Sequence, residues 1–132
     1  MKILVCYDRR EETGKVFKVA QKYAVAFNAG VILVTSIAAG SRESSEMEKK
    51  AKEVFDAEKS NFERASIKCE THILHHGVSE EEELLDFAKK NEVDQIILGT
   101  RKRSKLGKFL IGSVAQHLIL GSACPVLTVP LV

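Results

Sequence analysis

Ile96-Ile97-Leu98-Gly99-Thr100-Arg101-Lys102-Arg103-Ser104, followed closely by Leu110-Ile111-Gly112-Ser113-Val114-Ala115, reads as a strand, a loop and a helix start. The apolar run is a buried strand that ends in glycine. A strongly basic loop follows, and a second glycine stands at the mouth of a helix. Glycine lets the backbone come close to a ligand, and the first N–H groups of a helix are donors without intrahelical partners. A phosphate at that point meets oriented N–H groups and the positive end of the helix dipole. Five of the eight residues from Arg101 to Lys108 are Lys or Arg, which adds full charge to the same loop. The stretch points to an anion site, with nucleotide phosphates as its leading occupant.

Outward from this stretch, strand-like and helix-like segments alternate. Lys2 to Tyr7 is a short apolar strand. Val16, Val19, Ala20, Tyr23 and Phe27 recur at helical spacing, and Gly30 is expected to stop that helix. Val31 to Ile37 is nearly unbroken and β-branched, as in a strand covered on both faces. After a loop at 38–41, Met47, Ala51, Val54, Phe55, Glu58 and Phe62 mark the stripe of a long helix. Ile67 to His76 mixes polar and apolar residues, which suits an edge strand. Ser79 with Glu82 forms a capping-box pattern, and Glu80 to Glu83 sit where a helix start welcomes negative charge. That helix buries Leu84, Leu85, Phe87 and Ala88. Asp94 to Leu98 is the fourth strand, and Ser113 to Leu120 the last helix, with Val114, Leu118 and Ile119 inward. Pro125 to Val129 is the fifth strand; proline is tolerated at a strand's first residue. Alternating βαβ units imply one doubly wound α/β domain over 1–132, with a parallel sheet and helices on both faces. Such sheets bind ligands beyond the carboxyl ends of their strands.

At 132 residues the chain is large enough to bury roughly two-thirds of its unfolded surface. A net charge of +2 is too small for general nucleic-acid or membrane binding, and no apolar run approaches the roughly 20 residues that span a bilayer. Cys6, Cys69 and Cys124 are an odd number in apolar strand patterns, as expected of reduced core thiols in a cytoplasmic protein.

Asp8 follows the first strand directly, either as a ligand's hydrogen-bond partner or as a turn residue of the first helix. The loop from Gly99 to Gly112 has three readings: a phosphate site, a solvated connection, or a nucleic-acid contact. The third lacks interleaved aromatic residues apart from Phe109. Gly107-Lys108 does not complete a P-loop, and Asp8-Arg9-Arg10 is not a dinucleotide fingerprint. Cys69, His72, His75 and His76 alternate faces along a strand, so they do not converge on a metal. Neither Ser113 nor Cys6 has a catalytic partner placed by sequence logic. No catalytic constellation is visible.

In the order and spacing of several segments, the chain resembles the universal stress protein family over its full length. These are Ile3-Leu4-Val5-Cys6-Tyr7-Asp8, Val31 to Ile37, His76-Gly77, Asp94 to Arg101, Gly112 to Leu118, and Ala123 to Val129. The resemblance implies a Rossmann-like, adenine-nucleotide α-hydrolase-like domain with strand order 3-2-1-4-5. Nucleotide-binding members carry a glycine, two residues, a second glycine, nine residues, then Gly-Ser or Gly-Thr. Gly99, Gly112 and Ser113 fall in that register, while Lys102 replaces the second glycine. Arg9-Arg10 also stand where many relatives have Gly-Ser. The resemblance implies ATP or AMP as ligand, with a divalent cation left open. Asp8 would lie near the ribose and the backbone at Cys6 and Ser36 beside the adenine. Gly99, Gly112, Ser113 and Val114 would line the ribose and phosphates, with Arg101 and Lys102 as charged neighbours. Lys102 either replaces lost backbone contacts with its ammonium or closes the pocket. The resemblance also implies a cytoplasmic stress-response protein, homodimeric through strand 126–132. Two alternatives stand beside it: a nucleotide-free dimeric interaction module, and a slow ATP hydrolase.

Overall fold

The computed structural model describes residues 1–8, 14–77, 79–101, 103–105 and 108–131, with backbone alone for 103–105 and 108–110. In chain order the elements are β1 (Lys2–Cys6), α1 (Gly14–Phe27), β2 (Gly30–Ala38), α2 (Arg42–Arg64), β3 (Cys69–His76) and α3 (Glu80–Lys90). They continue with β4 (Gln95–Thr100), β5 (Arg103–Lys105), β6 (Lys108–Leu110), α4 (Ser113–Gly121) and β7 (Val126–Pro130). Five strands form a sheet in the order β3-β2-β1-β4-β7, parallel throughout. The fifth strand expected from sequence is β7, so the order 3-2-1-4-5 holds, and β3 lies at an edge as its mixed polarity suggested. Within the basic stretch the backbone forms a short antiparallel hairpin, with Arg103 opposite Leu110 and Lys105 opposite Lys108. Strands of three residues are too short to show a period, which is why the sequence reads as a loop there.

Each face of the sheet carries its own core. Ile3, Val5, Leu33 and Ile97 pack with Val16, Phe17, Phe55 and Phe62 of α1 and α2. Leu4, Ile32, Val34, Ile96 and Leu98 pack with Leu84, Ala88, Ala115 and Leu118 of α3 and α4. The central strands are apolar at consecutive positions because both faces are covered. Burying a side chain such as Phe55 stabilises by about 2–3 kcal/mol.

Three helix faces differ from the expected stripes. In α1 the buried set is Val16, Phe17, Ala20 and Ala24, while Phe27 is 54% exposed. The inward face of α2 starts at Ser44; Met47 is exposed. In α4 Ala115 and Leu118 are buried and Ile119 turns outward. Cys6 and Cys69 are buried, but Cys124 is half-buried in the turn before β7, not a core thiol.

Helix α1 is not stopped by Gly30, which opens β2. It ends at Asn28, which takes a left-handed φ of 53°. The Ala29 N–H bonds Ala24 O at 2.9 Å and the Asn28 N–H bonds Val25 O at 3.3 Å. This pair of bonds is the Schellman closure. The same pattern ends α2 at Ser66 and α3 at Glu92, with φ of 61° and 51°. Ile67 and Val93 then bond back to Phe62 and Ala88 at 3.0 and 3.3 Å. Buried Ala29, Ile67 and Val93 follow the three turns, so each closure also feeds a side chain into the core.

Candidate functional site

Strand order reverses between β1 and β4, and a cleft of about 390 Å³ opens at their carboxyl ends. That volume falls in the range of small-molecule sites. Its walls are Cys6 at the end of β1 with Tyr7 and Asp8 after it, and Leu98 to Thr100 at the end of β4 with Arg101 after them. Glu80 and Leu84 come from α3, and Ile111 to Ala115 lead into α4.

The exit of β1 is held firmly. The Tyr7 N–H donates to Val34 O at 2.9 Å, and the buried Thr35 hydroxyl donates to Tyr7 O at 2.9 Å. The Tyr7 ring packs against Phe55 and Phe17, with centroids 5.5 and 6.0 Å apart. Asp8 therefore leaves an anchored strand directly at the cleft.

Helix starts differ in how their free N–H groups are met. Ser41 caps α2 in a reciprocal box with Ser44, and the Ser79 hydroxyl accepts from the Glu82 N–H on α3. At α4 the cap residue is Gly112, and no side chain caps the helix. Its first residues face the cleft. An uncapped helix start at a cleft offers oriented donors and a positive dipole end to an anion.

Carboxylates crowd the same region. Glu81, on the first turn of α3, accepts from the Ser113 hydroxyl at 2.8 Å and from the Ser79 hydroxyl at 3.0 Å. Its own backbone N–H and the Ser113 hydroxyl hold its carboxyl below the usual carboxylate range. Ser79 and the charge of half-buried His117 add to this against the opposing effect of burial. Burial pushes the Cys6 thiol up to about 12, helped by the nearby charge of Glu80 and by Cys124. Cys6 is thus a protonated wall of the cleft at neutral pH, not a nucleophile.

Of the residues expected from sequence, Cys6, Asp8, Gly99, Arg101, Gly112, Ser113 and Val114 all line the cleft. Ser36 does not. It is fully buried on β2, and its hydroxyl is hydrogen-bonded to His76 Nδ1 at 2.8 Å. Lys102 lies outside the described residues, as do Arg9 and Arg10. A Cβ at Gly99 would lie 2.6 Å from Leu131 Cδ1 and 3.1 Å from Val16 Cγ2, so those side chains would have to shift to admit one. Sequence reasoning missed Glu80. Its acidic run fits a helix N-terminus so well that a second duty at the cleft left no separate signal.

The four residues Cys69, His72, His75 and His76 diverge. His75 bonds Glu48 of α2 at 3.2 Å, whereas His72 packs on Phe87 of α3 with centroids 5.0 Å apart. Among the described residues no three His, Cys, Asp or Glu side chains gather to hold a metal ion. Among them, too, no helix is long and apolar enough to cross a membrane.

Comparison with known proteins places this geometry. The family model described as the Universal stress protein family matches residues 1–130. A universal stress protein of Methanocaldococcus jannaschii is 34% identical over 83 residues, 63% of this chain. The match spans only 48%, about half, of that relative's own length. The structure of a universal stress protein from Archaeoglobus fulgidus superposes with a TM-score of 0.81 at 30% identity, covering 97% of each chain. The structure of the universal stress protein from the same organism in complex with dAMP superposes with a TM-score of 0.75. It is 26% identical, over 97% of this chain and 96% of that one.

Proposed function

This chain belongs to the universal stress protein family, and on that premise we propose that its cleft binds an adenine nucleotide, ATP or AMP. One observation carries the reading: the start of α4 has no side-chain cap and opens onto the cleft at the sheet's reversal point. In this reading the phosphates sit on the N–H groups after Gly112, where a helix start favours negative charge. Asp8 meets the ribose, and the backbone at Cys6 lies beside the adenine with that of Ser36 behind it. Arg101, which lines the cleft, supplies positive charge together with Lys102. The dAMP complex of a relative of the same fold supports a nucleotide of this class.

Residues 1–132 act as one cytoplasmic stress-response domain in this proposal. It works through partners and through a homodimer built on strand 126–132, without efficient turnover. One feature favours a second reading, a nucleotide-free dimeric module: Lys102 stands where the nucleotide-binding motif has its second glycine.

Calorimetric titration with ATP, ADP and AMP, with and without magnesium, separates the two. Saturable binding at micromolar nucleotide supports the site, and none up to millimolar concentration removes it. The same titration on Lys102→Gly reads the lysine: tighter ATP binding by the variant means obstruction, weaker binding means assistance. Phosphate release that is lost in Asp8→Ala would establish a slow hydrolase in place of a binding protein.

A further inference from the structure

Packing seats α4 by its inner residues and leaves its start in the open. Ala115 and Leu118 are buried in one cluster with Leu84 and Ala88 of α3, and Val114 is half-buried, whereas Ile111, Gly112 and Ser113 are exposed. The Gln116 N–H bonds Gly112 O at 3.0 Å, so the N–H groups of Ser113, Val114 and Ala115 precede the helix's own ladder. Serine side chains hold the corresponding turns of α2 and α3, but glycine at the α4 cap brings none. A bond from α3 ties this turn instead. The Ser113 hydroxyl donates to Glu81 Oε1 at 2.8 Å. The Ser79 hydroxyl donates to the other oxygen, Oε2, at 3.0 Å, while it accepts from the Glu82 N–H at 3.2 Å. Glu81 is thus gripped at both oxygens and joins the first turns of two helices. Ser113 lines the cleft, and Glu81 is not among its lining residues.

We infer that Glu81 is a positioning residue for the phosphate end of the cleft. By holding the Ser113 hydroxyl it keeps the first N–H groups of α4 aimed at the ligand, without touching the ligand itself. This rests on the nucleotide-binding reading above and names a residue on which that site depends. Donors whose direction is set beforehand cost less to order when the phosphate arrives. A turn that packing leaves exposed gains most from such a tie. The role needs an acceptor atom at position 81, and the charge of the carboxylate is incidental to it.

Glu81→Gln and Glu81→Ala both lack that charge, and glutamine alone keeps an oxygen for the Ser113 hydroxyl. Comparing these two variants isolates the bond from any repulsion between carboxylate and phosphate. AMP is titrated by calorimetry into the native protein, both variants, Ser113→Ala, and each Glu81 change combined with Ser113→Ala. A thermal melt of each confirms folding. Glu81→Gln should bind AMP about fivefold more tightly than Glu81→Ala. Ser113→Ala should still bind through its N–H groups, and on that background the gap should close to less than about twofold. Equal affinity of the two Glu81 variants, or a gap that persists without the Ser113 hydroxyl, would overturn the inference. So would loss of all binding in Ser113→Ala alone, which would make the hydroxyl the phosphate's own partner. In each of these cases the native protein still binds AMP, and the nucleotide site stands. Absence of binding to the native protein removes the site and the inference together.

Discussion

A Cβ on Gly99 would press on Leu131 at 2.6 Å and on Val16 Cγ2 at 3.1 Å, whereas one on Gly112 meets nothing within 4 Å. Gly112 also has an ordinary φ of −58°, so alanine fits there without backbone strain. The two glycines are thus separable by experiment. Gly99→Ala overpacks the face shared with α1 and should destabilise by about 1–3 kcal/mol. Gly112→Ala loses only a modest preference at a helix cap and should cost about 1 kcal/mol or less. Gly112 lines the cleft, however, so in the proposed site an added methyl group narrows the approach of the phosphate, and nucleotide affinity should fall at least about tenfold. Chemical denaturation and calorimetry on both variants check this. Equal binding by Gly112→Ala and the native protein would take the phosphate away from α4.

Three helices close on left-handed residues that are not glycine, and Glu92 is the bulkiest of them, at φ 51°. A side chain in that region costs about 1–2 kcal/mol, and glycine removes the cost at some expense in unfolded-chain entropy. Glu92→Gly should therefore stabilise by about 1 kcal/mol, raising Tm by roughly 3 °C. Asn28→Gly should gain less, because asparagine tolerates this conformation. A lower Tm for Glu92→Gly would show that its side chain contributes more than its backbone costs. These closures also explain what sequence reasoning misplaced. Glycine is the usual stop signal, so Gly30 reads as the helix end although Asn28 is, and helical spacing points Phe27 inward although Phe17 is the buried ring. The elements themselves were legible, because β2 carries β-branched residues at five of its nine positions and α3 announces its start with Ser79. Of the site, the residues at strand and helix ends were legible by position. The bridge from Glu81 to Ser113 was not, since it joins side chains 32 residues apart whose meeting depends on how α3 and α4 pack.

For the whole molecule, the sheet leaves two edges, β3 and β7. The β3 edge carries Glu70, His72 and His76, while β7 reads Val-Leu-Thr-Val-Pro without a charge. An uncharged edge invites pairing with another strand. The Ile96 N–H bonds Pro125 O and the Leu131 N–H bonds Thr100 O. By the alternation of a parallel ladder, the N–H groups of Val126 and Thr128 then face away from β4. In the proposed dimer these groups meet a second copy across a two-fold axis. Thr128→Pro removes an outward donor and spares the bonds to β4, so sedimentation should show a dimeric native protein and a monomeric, folded variant. A native monomer would end the dimer proposal. The start of α4 is the place proposed to hold a nucleotide phosphate. Backbone amide spectra of isotope-labelled protein titrated with AMP test it most directly. Saturable shifts should be largest at Gly112, Ser113, Val114 and Ala115, with smaller ones at Tyr7 and Asp8. Shifts confined to other parts of the chain, or none at millimolar AMP, would contradict it.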